Sequence, residues 1–301
     1  MTAISFEGLA LTFACALGWS LLDLCRKLLA DSASAVATAF LLVCGQIPIF
    51  LVWSIFEWQG QSGSPWPAAA YWLPGLGSVA LNILAHLAFM QSVKMAPMSR
   101  TVPLLSLTPV FTTLIAIPVF AEWPTSVQAL GILVVVISSI VISRGGDAET
   151  EEESVIESVA RRGSVLMAMV ALLWSVTPAL DKLAVGHVSP TVHALVLIIG
   201  SALGLGVIAL WRREGPEITR LFHDRRALGL VAVSAAIAAF AIAAQLYAYG
   251  HVAVGLVETV KRGVGAAFAL FAGWLLLKEH IGWRRLLAGL AMIAGVAAVM
   301  L

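Results

Sequence analysis

Long apolar runs alternate with short polar breaks from one end of the chain to the other. Ten runs stand out, at 6–25, 35–56, 70–92, 98–121, 125–144, 163–184, 188–211, 227–249, 253–277 and 282–301. Crossing the hydrocarbon core of a bilayer as a helix takes about 20 residues, and each run meets that length. No water reaches that core, so a helix, which satisfies its backbone internally, is the expected form. Barrel strands would instead appear as roughly ten-residue segments of alternating polarity. The pattern predicts an all-α membrane protein with ten transmembrane helices.

The breaks are short except for one. Gly145 to Arg162 reads GGDAETEEESVIESVARR, acidic and poor in apolar residues. This composition predicts a solvated linker with at most a turn or two of helix. It divides the chain into a first five-helix repeat at 1–146, a linker at 147–162 and a second five-helix repeat at 163–301. The repeat is readable directly. A shift of 155 places Trp19-Ser20 on Trp174-Ser175, Lys27-Leu28 on Lys182-Leu183, Ser34 on Ser189 and Gly45 on Gly200. A shift of 157 places Glu122 on Glu279. Five helices per half is an odd number, so the halves are expected in inverted topology. Inverted repeats are a frequent design of secondary carriers, with the site between the halves near the midplane.

Composition supports the membrane reading. Hydrophobic residues make up 60% of the 301-residue chain and charged residues 12%, against about 25% charged in soluble domains. Mean hydropathy is +0.96. Net charge is +1, too small to suggest a nucleic-acid partner, but its distribution is informative. Fifteen of the 18 Lys and Arg residues fall on one side of the expected spans, Arg26 and Lys27 among them; Lys182 falls on the other, and Lys261 and Arg262 lie inside the ninth run. The positive-inside rule then makes the basic side cytoplasmic and puts both termini outside. No basic stretch precedes the first run, which reads as a retained helix rather than a signal peptide. Cys15, Cys25 and Cys44 have no metal or redox spacing and read as packing residues.

Several motifs carry a family resemblance: Trp19-Ser20 and Trp174-Ser175 early in each half, LLSLTPVFTTLIAIPVFAEWPTSVQALGILVVVISSIVI from Leu104 to Ile142, and LLLKEHIGWRRLLAGLAMIAGV in the counterpart region. Together they resemble the ten-helix EamA-type branch of the drug/metabolite transporter superfamily. The resemblance implies transport of small metabolites without ATP, by alternating access between two four-helix lobes. It also implies that the fifth and tenth helices serve as peripheral packing or as a homodimer contact. Several members keep their termini in the cytoplasm, which conflicts with the charge bias here. Lys261-Arg262 is similar to the pair that grips phosphate in the ninth helix of plastid triose-phosphate transporters. That family has a further lysine four residues before the proline matching Pro109, and this chain has Leu105 there. One phosphate ligand is therefore missing, which leaves a carboxylate, a zwitterion or a single phosphoester head group.

The residues themselves point to the same helix. Glu258, Lys261 and Arg262 lie deep in an apolar run, where ionisable groups face a cavity, pair with each other or line a substrate path. Spacings of three and four put Glu258 on one face with both cations. One carboxylate neutralises one cation, and the remaining positive charge suits an anionic guest; the alternative is a self-neutralising cluster that only packs the bundle. Trp19, Trp174, His86, Gln245 and Asn82 are further candidates to line a substrate pocket, with core packing as the alternative for the tryptophans. His86 and His193 have the right chemistry for proton transfer, or for hydrogen bonds between helices. Asp23 and Asp181, near helix ends and each close to a lysine, are expected to make a local pair or gate contact rather than to bind substrate. Glu122 and Glu279 are expected to sit at the positive N-terminus of the helix that follows each. Pro97, Pro103, Pro109 and Pro118 interrupt the fourth run, and Gly255, Gly263, Gly265 and Gly273 the ninth, matching positions in the two halves.

The expected function is secondary active transport of a small anionic or zwitterionic metabolite, as exporter or exchanger of amino acids, organic acids or phosphorylated metabolites, across a plasma membrane such as a bacterial inner membrane. The alternative is a lipid-linked head-group carrier or flippase subunit. No catalytic, metal or cofactor motif is present, so an enzyme is not expected.

Overall fold

The computed structural model describes residues 5–59, 67–143, 151–276, 278 and 282–300. The first half contains α1 (Phe6–Leu29), α2 (Ala35–Cys44), α3 (Ile47–Gln59), α4 (Trp72–Met95), α5 (Met98–Thr101), α6 (Thr108–Phe120) and α7 (Ser126–Ser143). The second half contains α8 (Glu151–Val185), α9 (Pro190–Trp211), α10 (Gly215–His223), α11 (Arg225–Ala248), α12 (Val254–Leu275) and α13 (Trp283–Met300). No strand occurs among the described residues. Seven helical stretches are long and apolar enough to cross a membrane, and Ser126–Ile142 is a shorter apolar helix. α12 is as long as several of these but carries three charges within five residues.

The first helix of each half packs along the third long helix of the other. α1 lies against α11, and α8 against α4. α2 meets its counterpart α9, α6 meets α12, and α7 meets α13. Each contact therefore either has a mate in the exchanged halves or joins equivalent helices, as two related repeats require. Small residues allow the closest approaches. A Cβ on Gly131 of α7 would stand 2.7 Å from the backbone oxygen of Gly295 on α13. A Cβ on Gly255 of α12 would stand 2.3 Å from Thr113 Oγ1 on α6.

Four features depart from the sequence expectations. The second run is not one helix but α2 and α3. Pro48 lacks an N–H and cannot continue the helical ladder. Just before it, Gln46 N turns to Val43 O at 3.0 Å, while its side-chain amide donates to Leu42 O at 2.8 Å. The fourth run is interrupted, as its prolines predict; the departure is that the chain there turns 3-10 helical. A 3-10 segment, Val102–Leu107, lies between α5 and α6, with Pro103 and Pro109 at its two ends. Ser139 of α7 donates to the Pro103 carbonyl. Thr108 and Thr112 tie α6 to the carbonyls of Ala171 and Ser175 on α8, at 3.2 and 3.1 Å.

The third departure is in the linker. Residues 151–162 are helical and continuous with the rest of α8. Glu157, within that stretch, forms two 2.6 Å bonds with the Arg100 guanidinium, so this acidic residue is held against the first half. The fourth is α10, an amphipathic helix that the apolar-run pattern missed. Its Leu221 is buried with Leu29, Leu41 and Val231, and Asp224 caps the start of α11. Trp123, Trp211 and Trp283 are exposed, in keeping with interfacial positions. The side chains of Trp58 and Trp66 lie outside the described set.

Candidate functional site

α1, α2, α4, α8, α9, α11 and α12 surround a central cavity with about 50 Å³ of room for the centre of a water-sized molecule. Seven of the eight candidate residues named from sequence line it: Trp19, Asn82, His86, Trp174, Gln245, Lys261 and Arg262. The eighth, Glu258, is fully buried behind them. These side chains come from five helices, so the cavity exists only in the assembled bundle.

The α12 charges are arranged unequally. Glu258 pairs with Lys261 and accepts from Tyr249 Oη at 3.0 Å. Lys261 also donates to Gln245 Oε1 at 2.9 Å and lies 5.5 Å from the Trp19 ring centroid. Arg262 is different. Its guanidinium sits 5.2 Å over the Trp174 ring, and Nη2 is 3.7 Å from Glu258 Oε2, beyond hydrogen-bond length. Arg262 Nε and Glu258 Oε2 are both buried without a hydrogen-bond partner among the described residues. Buried polar groups are normally satisfied, so a buried guanidinium with free donors at a cavity wall is a place for an acceptor. Lys261 and Arg262 also border a second, smaller space. Leu105 of the 3-10 segment lies there and offers no charge.

Arg26 joins this cluster, which sequence reasoning did not foresee. It was grouped with the cytoplasmic charges because it sits near the end of the first run. α1 extends one turn further, to Leu29, and Arg26 is buried and lines the cavity. Its Nη1 meets Asp23 Oδ1 at 3.1 Å, and its guanidinium stacks 4.9 Å over Phe89. A signal was available: Trp19, Leu22 and Arg26 follow the three-and-four spacing of one helical face. Removing Arg26 from the fifteen leaves fourteen basic residues on the expected cytoplasmic side, so the charge bias remains.

Both aspartates choose partners other than the adjacent lysine. Asp23 pairs with Arg26, while Lys27 donates to the carbonyls of Val93 and Ala96 at 2.7 and 3.3 Å. Asp181 lines the cavity and accepts from Ser78 and from His193 Nε2, the latter at 3.1 Å. Tyr71 Oη lies 3.0 Å from His193 Nδ1. Lys182 pairs instead with Glu122. Glu122 also accepts from the Val254 backbone N–H at 2.9 Å. It therefore caps α12 rather than the helix that follows it in sequence. Glu279 lies outside the described residues. His86 bonds the Asn82 carbonyl of its own helix at 2.6 Å and meets the Trp174 ring edge-on. Trp174 Nε1 donates to Asn82 Oδ1 at 3.2 Å, whereas Trp19 Nε1 is buried without a hydrogen-bond partner among the described residues.

This arrangement suits a binding chamber in a membrane protein, with polar groups converging on space enclosed by apolar helices. A family model described as the EamA-like transporter family matches residues 6–144 and again 161–301. The chain belongs to that family, and the family's domain occurs in it twice. No curated protein matches the chain. Among solved structures 28 chains match. One, called simply "Crystal structure of protein", aligns over 99% of this chain and 99% of its own, with a TM-score of 0.71 at 16% sequence identity. That likeness concerns the fold alone.

Proposed function

We propose that this EamA-family membrane transporter is a secondary carrier of a small anionic or zwitterionic metabolite, working by alternating access as an exporter or exchanger. The observation that carries the reading is Arg262, a buried guanidinium at the cavity wall with no hydrogen bond to Glu258. An incoming carboxylate or phosphoester would accept two parallel hydrogen bonds from it. Lys261, held by Glu258 and Gln245, adds positive charge beside it. Two contacts between the halves, Arg100 with Glu157 and Lys182 with Glu122, are suited to form and break as the halves rock. The charge bias supports a plasma-membrane orientation with both termini outside.

Thermal unfolding of the purified protein with small carboxylates and phosphoesters tests this. A ligand that binds the folded form raises the unfolding temperature by mass action. The wild type is expected to respond to one of these anions, and Arg262→Ala to need about 30-fold more ligand, since removing one partner of a buried charged pair costs about 2 kcal/mol or more. Equal shifts in both proteins would remove Arg262 from the site. Stabilisation by lipids carrying the same head groups, with no response to the soluble anions, would favour a head-group carrier.

A further inference from the structure

The charges around the cavity leave one cation and one anion without a full partner. Arg26 is matched by Asp23, and Lys261 by Glu258. Arg262 only shares Glu258, at 3.7 Å. Among the described residues Asp181 forms no ion pair with a Lys or Arg, and its ionic-range contact is His193. His193 bridges the Tyr71 hydroxyl, 3.0 Å from Nδ1, and Asp181 Oδ1, 3.1 Å from Nε2. Both hydrogen bonds to Asp181, from Ser78 and from His193, go to Oδ1. Oδ2 receives none among the described residues, and Asp181 lines the same cavity as Arg262. A buried carboxylate oxygen without a donor is costly, as is a guanidinium with idle donors.

The two charges belong to one cavity wall. Arg262 lies over Trp174, and Trp174 and Asp181 are seven residues apart on α8. At about 1.5 Å per residue this is on the order of 10 Å, or two turns, so both residues occupy the same helical face. Trp174, Thr177, Pro178 and Asp181 all line the cavity, and a polar chain from Trp174 through Asn82 and Ser78 joins the two ends. Once the contact distance at each end is subtracted, the remaining gap is that of a short molecule.

We infer that Asp181 is an ammonium-binding subsite, and that the transported substrate is a small zwitterion whose anionic end meets Arg262 and whose ammonium meets Asp181 Oδ2. This rests on the anion-binding reading of Arg262 and adds the second end. A molecule with one charge of each sign cancels both leftover charges at once, whereas a plain anion leaves Asp181 uncompensated. Asn82 and Ser78, already bonded to each other between the two ends, supply the polar surface in the middle.

The test uses the full-length protein in detergent and follows thermal unfolding. Three aminoalkanoates (glycine, β-alanine and γ-aminobutyrate) are titrated beside the alkanoate and the alkylamine of the same length. The wild type is expected to bind at least one aminoalkanoate roughly tenfold more tightly than its alkanoate, the scale of one hydrogen bond to a charged group. Asp181→Asn keeps a side-chain oxygen for Ser78 and His193, and is expected to bind both members of that pair with the affinity that the wild type has for the alkanoate. Arg262→Ala is expected to lose both. Asp181→Asn retaining the wild-type preference would overturn the subsite while leaving the anion reading intact. Arg262→Ala binding alkanoates normally would overturn the anion reading itself. No preference in the wild type, no response to any aminoalkanoate, or an alkylamine that binds as tightly as its aminoalkanoate would each overturn the zwitterion, and these three outcomes need no variant to fold.

Discussion

Arg26 and Asp181 stand at the same place in the two repeats, 155 residues apart. Both are buried on the first helix of their half, and both line the cavity about two turns along the same face from an equivalent tryptophan, Trp19 or Trp174. One carries positive charge and the other negative. Their surroundings differ as well. Arg26 has its own counter-ion one turn away, Asp23, whereas the position equivalent to Asp23 in the second half is Pro178. The first half therefore closes its charge internally, and the second half leaves Asp181 open to the cavity. The shared scaffold fixes where side chains enter the chamber. The individual residues at those positions then give the chamber a positive and a negative side.

The largest expected effect comes from breaking the closed pair. Arg26→Gln strands the Asp23 carboxylate in the bundle, and breaking a buried pair in this way costs about 3–5 kcal/mol. Asp181→Asn removes a charge that no Lys or Arg among the described residues pairs with and keeps an oxygen at the same place, so it should cost about 1 kcal/mol at most. Denaturation midpoints of the two variants, measured side by side, check this. A loss for Asp181→Asn as large as for Arg26→Gln would mean that the second-half aspartate is also internally paired.

A smaller contrast concerns the two tryptophans. Trp174→Phe deletes a hydrogen bond and leaves Asn82 Oδ1 short of a donor, at about 1–3 kcal/mol. Trp19→Phe deletes an N–H without a hydrogen-bond partner among the described residues, and should be close to neutral in stability. The same unfolding measurement distinguishes them. If Trp19→Phe were the more damaging change, the indole N–H of Trp19 would have a partner that the asymmetry above does not include.

Much of this chamber was readable from the chain. Charges deep in an apolar run are conspicuous because their burial is costly, and so Glu258, Lys261 and Arg262 stood out, followed by the polar residues of the neighbouring runs. The repeat was readable because duplicated tryptophans and glycines keep their spacing. What could not be read depends on contacts between distant segments. Arg26 looked like an end-of-helix charge until the true length of α1 and the covering Phe89 placed it inside. Asp181 lay beside Lys182 in sequence, but on a helix consecutive residues point about 100° apart, so the lysine reached Glu122 and the aspartate turned to the cavity. Glu122 capped α12 because α6 packs against it, a neighbour that no local rule identifies. The prolines of the fourth run marked an interruption, but a 3-10 segment with its carbonyl taken by Ser139 required the packed α7.

The most direct measurement is a crystal structure of the protein grown with 5-bromofuran-2-carboxylate, whose ring-bound bromine is not displaced by side chains, read from the anomalous signal of bromine. The account predicts a peak inside the chamber, with the carboxylate oxygens bonded to the Arg262 guanidinium beside the Trp174 ring. A bromine site elsewhere on the molecule, with Arg262 still lacking an acceptor, would contradict it.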